Sequence, residues 1–69
     1  MLVAQPRATA VVWGPTDDPE HPYAAHVAGQ HWLIRLGDFP AEPLYTLLID
    51  GDVVESFDTW PDAWTRPER

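Results

Sequence analysis

The chain has 69 residues, 45% of them apolar, with eight prolines, no cysteine and a formal charge of −7 at neutral pH. A chain this short forms one domain, and its core needs a staple, heavy side chains or a partner; disulfides and a Cys/His zinc quartet are excluded, which leaves four tryptophans and association. Eleven acids face four arginines and no lysine, so the chain lacks the clustered basic side chains that tracking a phosphate backbone or docking on an anionic membrane requires.

Lysine and asparagine are absent and Ala, Pro, Arg and Gly occupy 24 positions, a bias that a GC-rich bacterial or phage genome produces. Residues 1–7 hold no long apolar stretch or cleavage motif, and no window reaches 18 apolar residues. The expectation is a soluble cytoplasmic protein with a frayed terminus over 1–7 and a single β domain over 8–69.

Prolines cut the chain into short pieces that favour strands over helices. Ala8 to Trp13, rich in β-branched and aromatic side chains, reads as a first strand stopped by Gly14-Pro15. Pro15 to Pro22 is a stiff acidic loop carrying Asp17, Asp18 and Glu20. Tyr23 to Leu36 reads as a hairpin turning at Gly29-Gln30, with a type II′ geometry. That register pairs 27 with 32, 25 with 34 and 23 with 36, which gathers Tyr23, Ala25, Val27, Trp32, Ile34 and Leu36 on one apolar face. The opposite face holds Ala24, His26, Ala28, His31, Leu33 and Arg35.

Gly37 to Pro43 is a second acidic loop, with Asp38 and Glu42. Leu44–Ile49 and Asp52–Phe57 flank Asp50-Gly51, a strong type I′ hairpin signal. Pairing 49 with 52 puts four apolar residues of six on each face, so this hairpin is expected to be covered on both sides. In the tail, Asp58-Thr59 can cap a short helical turn that sets Trp60 and Trp64 on one side, either as a lid over the sheet or as an exposed aromatic anchor. The predicted fold is mainly β: a small SH3-like five-stranded meander or partly open barrel ending in a short helical turn. The alternative is a four-stranded sheet packed as a homodimer.

Histidines stand at 21, 26 and 31. The predicted register makes His26 and His31 diagonal neighbours at roughly 7–8 Å, near His21 and Glu20, but no zinc motif accompanies them, so solvent-facing histidines and no metal are expected. Ser56 is the only serine, and it lacks a nucleophile elbow. The glycines are scattered over strand ends and turns, and a core this size rarely encloses a substrate pocket. No catalysis and no cofactor are expected.

Negative charge is the main functional clue. The expected partner-binding set is Asp17, Asp18, Glu20, Asp38, Glu42, Asp52, Glu55 and Asp62, with Trp60 and Trp64 supplying aromatic contact. Their expected target is a protein with a basic surface, inhibited or modulated in the manner of nucleic-acid mimics and antitoxin-like or immunity-like proteins, an analogy of size and charge alone. The alternative is a peptide-binding adaptor or accessory subunit with an aromatic groove built from Tyr23, Trp32, Tyr45, Phe57 and Trp60.

Overall fold

The structure, a computed structural model, describes residues 5–65. One antiparallel sheet holds five strands in sequence order: β1 (Gly14–Pro15), β2 (Tyr23–Val27), β3 (Gln30–Leu36), β4 (Tyr45–Ile49) and β5 (Asp52–Phe57). The meander is as expected, and the sheet stays open because β1 and β5 remain its two edges. The fifth strand comes from within the chain: β1 pairs with β2 through Gly14 and Ala24, and a second copy is not needed to complete the sheet.

The first strand differs from expectation. The residues that pair are Gly14-Pro15, the expected stop, and proline is tolerated there because β1 is an edge strand whose second ladder has no occupant among the described residues. Pro6–Ala8 form a single 3₁₀ turn, while residues 1–4 of the expected frayed terminus lie outside the described residues. Between these elements Val11 and Trp13 point inward and Val12 is 79% exposed. This alternation is strand-like, but its only ladder contact among the described residues is a parallel bridge from Val11 to Trp64.

The β2–β3 hairpin turns one residue earlier than predicted. Ala28 and Gly29 occupy the turn with φ of 51° and 78°, a type I′ geometry, and Val27 faces Gln30. Every pairing is thereby displaced by two: Ala25 opposes Trp32 and Tyr23 opposes Ile34. A two-residue displacement preserves side-chain parity, so the predicted apolar face survives, joined by buried Gln30 and losing Leu36 to solvent.

In the β4–β5 hairpin the Asp50-Gly51 turn and the Ile49–Asp52 pair are as predicted. A bulge then intervenes: Leu48 opposes Val53 but Leu47 opposes Glu55, which leaves Val54 unpaired. The extra residue transposes the rest of β5, so Phe57 lies against Tyr45, ring centroids 5.7 Å apart, instead of on the opposite face. The second face is not covered as expected, since Val53 and Val54 are exposed.

The core lies on one face of the sheet. Ala25, Trp32, Ile34, Leu47, Ile49 and Phe57 rise from the strands to meet Val11, Trp13, Trp60 and Trp64, which close over them. All four indoles are buried and form a connected cluster, with Trp13 and Trp64 at 5.0 Å and Trp60 and Trp64 at 5.3 Å. Each buried indole removes roughly 200 Å² from water, and tilted or edge-on pairs add about 0.5–1.5 kcal/mol each. This compensates for the small size of the domain.

Among the described residues the tail forms no helix. A turn in which Trp64 N–H donates to the Pro61 carbonyl at 3.1 Å brings the chain back alongside Val11, whose carbonyl accepts Thr65 N–H at 2.9 Å. Trp13 N–H bonds Thr65 Oγ1 at 3.0 Å, and the indole N–H of Trp64 donates to the Pro6 carbonyl at 2.9 Å. The two chain ends thus knit into one lid, each satisfying the other's polar groups. Trp13 Nε1 is the exception, buried without an acceptor among the described residues.

Candidate functional site

Two proline-bearing acidic loops lie at the same end of the sheet. β2 runs away from the loop 16–22, β3 returns toward the loop 37–44, and β5 returns to Asp58, so the antiparallel order sets all three at one end of the strands. Two strand spacings, about 10 Å, separate the two loops across a flat sheet. Six carboxylate residues share this end: Asp17, Asp18, Glu20, Asp38, Glu42 and Asp58, all exposed.

Both loops are braced by their own hydrogen bonds. In the first, Thr16 N–H donates to the Pro22 carbonyl at 3.0 Å, the Thr16 hydroxyl donates to the His21 carbonyl, and Asp18 N–H donates to Thr16 Oγ1 at 3.1 Å. Asp18 Oδ1 accepts Glu20 N–H at 2.9 Å, and Oδ2 lies 3.0 Å from His21 Nδ1. In the second, Gly37 N–H donates to the Leu44 carbonyl at 2.9 Å, Glu42 N–H to the Asp38 carbonyl at 2.9 Å, and Asp38 N–H to Glu42 Oε1 at 3.0 Å. Asp58 then accepts Leu44 N–H at 3.0 Å, which fastens this loop to the end of β5.

Some predicted site carboxylates are therefore occupied internally and others are free. Asp18 and Glu42 shape their loops, and Glu55 is paired with Arg7 at 2.9 Å, an exposed contact of about 0–1 kcal/mol. Asp17, Glu20 and Asp38 make no side-chain hydrogen bond or ion pair among the described residues and are exposed on the braced loops. Asp52 sits at the opposite end of the sheet beside the β4–β5 turn and does not join this group, and Asp62 lies exposed in the tail turn.

The aromatic half of the expected site requires correction. Trp60 and Trp64 are 7% and 4% exposed and serve as the lid, not as surface anchors. Trp32 and Phe57 are buried too, with Tyr23 and Tyr45 packed against them, so the aromatic set proposed for a peptide groove is the core itself. The exposed aromatic at the acidic end is Phe39, 56% accessible between Asp38 and Pro40. Sequence inspection passed over it because a lone aromatic beside a proline carries no periodic signal.

The hydrogen bond from Glu20 N–H, followed by the His21 side chain, holds the Asp18 carboxyl below its ordinary value of 3.8. A depressed folded value means that the stabilisation is present above the unfolded value and is lost as pH falls through the folded one. Acidification below the usual aspartate range is thus expected to loosen the loop 16–22. Carboxyl-detected NMR should show Asp18 titrating below its ordinary value, with the Glu20 and His21 amides moving at the same midpoint; an Asp18 midpoint at or above that ordinary value would contradict this.

Among the described residues no helix is long and apolar enough to cross a membrane, and no group of three or more His, Asp or Glu side chains is placed to hold a metal. No family model matches the chain, and no curated protein or solved structure matches it.

Proposed function

We propose that this chain is a non-enzymatic acidic interaction protein that binds a basic surface on another protein and inhibits or modulates it. The observation that supports this reading is the gathering of six carboxylate residues at one end of the sheet on two loops braced by backbone hydrogen bonds. Fixed anionic positions steer a cationic partner during encounter and match the spacing of its basic groups without a large ordering cost on binding. The outward carboxylates of Asp17, Glu20 and Asp38 make the contact, while Asp18, Glu42 and Asp58 hold the loops in shape.

The test is capture of the partner from the source cell on the immobilised chain, followed by association kinetics. Changing Asp17→Asn, Glu20→Gln and Asp38→Asn together leaves the internal bonds intact and is expected to slow association about tenfold or more at low salt, a difference that shrinks as ionic strength rises. A captured macromolecule that is itself anionic, or an association rate untouched by the triple change, overturns the reading.

A further inference from the structure

The three histidines separate into one and two. His21 belongs to the loop 16–22, paired with Asp18, whereas His26 and His31 lie toward the far end of the β2–β3 hairpin. Five residues of extended chain, roughly 15 Å, divide His21 from His26. The corrected register makes His26 and His31 direct partners, with exposed imidazoles stacked at 5.0 Å between centroids and 14° between planes.

The backbone explains why they meet. His31 directs its N–H to Asp50 Oδ1 at 2.9 Å and its carbonyl to Asp50 N–H at 2.8 Å, both away from β2. The 26–31 pair is therefore a non-hydrogen-bonded pair, the ladder position at which opposing side chains come closest. One imidazole thus stands beside another on a rigid hairpin, next to the β4–β5 turn that carries Asp50 and Asp52. The described arginines lie elsewhere: Arg7 is paired with Glu55, and Arg35 sits near the other end of β3.

We infer that His26 and His31 form a cross-strand chelate for a divalent transition ion of the zinc and copper class, with solvent filling the remaining positions. Imidazole is a preferred ligand of these ions, and nitrogen–metal distances of about 2.0–2.1 Å require the two donor nitrogens to converge to about 3.3 Å. The exposed rings stand 5.0 Å apart between centroids and nearly parallel, so convergence calls for rotation of both side chains. The backbone ladder holds the second imidazole at high effective concentration once the first has bound, and the nearby aspartates lower the energy of a cation at this end.

The test uses the untagged full chain and zinc chloride at neutral pH. Calorimetry is expected to show a saturable site, and NMR is expected to show the His26 and His31 imidazole signals moving together while His21 stays in place. His26→Gln or His31→Gln, both at exposed positions, should weaken binding about 100-fold through loss of the second donor, and His21→Gln should leave it unchanged. Binding should also weaken on acidification, because protons compete with the ion for imidazole. A ratio of one ion to two chains carried by the same two histidines supports the site, with a second copy completing the coordination. Unchanged affinity in His26→Gln, or saturation without movement of the His26 and His31 signals, overturns it.

Discussion

Trp64→Ala is expected to be the most damaging single change, lowering stability by about 3–5 kcal/mol. Domains of this size have total stabilities of about 3–10 kcal/mol at about 0.05–0.15 kcal/mol per residue, so this one change removes a large share of the total. Trp64 is 4% exposed and touches Trp13, Trp32, Phe57 and Trp60. Its backbone bridges to Val11 and its indole N–H donates to the Pro6 carbonyl, so truncation opens a cavity and leaves that carbonyl with Thr9 N–H as its remaining donor among the described residues. Urea titration followed by far-ultraviolet circular dichroism measures the loss. Trp64→Phe keeps a ring in the cluster but not the bond to Pro6, and should fall between the two. A loss below about 1 kcal/mol for the alanine variant, the scale of an ordinary surface change, would mean that the lid is not closed over the sheet.

The second large effect is expected from Gly37→Ala. A Cβ there would lie 2.1 Å from the Pro43 carbonyl oxygen and 3.2 Å from its carbon, and these are backbone atoms that move only if the loop moves. Relief requires breaking the Gly37 N–H bond to Leu44. The expected loss is about 2–3 kcal/mol, the upper part of the range for overpacking. Gly14→Ala is the comparison, because open space surrounds that position and the loss should stay within about 0.5 kcal/mol. Because Asp38 and Glu42 ride on the displaced loop, Gly37→Ala should also slow association with the proposed basic partner while leaving the net charge at −7. Equal stability of the two alanine variants in urea would show that the loop does not hold the close approach at Gly37.

Strand content was legible in the sequence because alternating apolar residues and turn dipeptides act locally. The Asp50-Gly51 turn is an example: a glycine and an aspartate adopt positive φ readily, so the turn forms where the dipeptide stands. At Ala28-Gly29 local preference pointed elsewhere. Alanine at φ 51° is disfavoured, yet this turn opposes bulky Trp32 with small Ala25 and seats the indole beneath Trp13 and Trp64. Packing outweighed the turn preference. The bulge at Val54 was hidden for a similar reason: the contact of Phe57 with Tyr45 and Trp64 and the 3.0 Å bond between the Thr46 and Ser56 hydroxyls distinguish the bulged register from the regular one.

The candidate site was legible in kind but not in arrangement. Acidity and proline-stiffened loops can be counted residue by residue, whereas the division of labour between Asp18, Glu42 and Asp58, which brace, and Asp17, Glu20 and Asp38, which project, depends on hydrogen bonds across up to 14 positions.

The sequence by itself determined a small acidic β protein with two hairpins and an aromatic core, since composition and period-two alternation set those features without reference to distant residues. Tertiary structure alone decided that the two chain ends knit together, that Trp60 and Trp64 follow the lid reading and not the anchor reading, that the acidic loops share one end, and that His26 meets His31. Each of these is a contact between segments far apart in sequence or in different strands, and its geometry follows from register and packing, which no local pattern encodes.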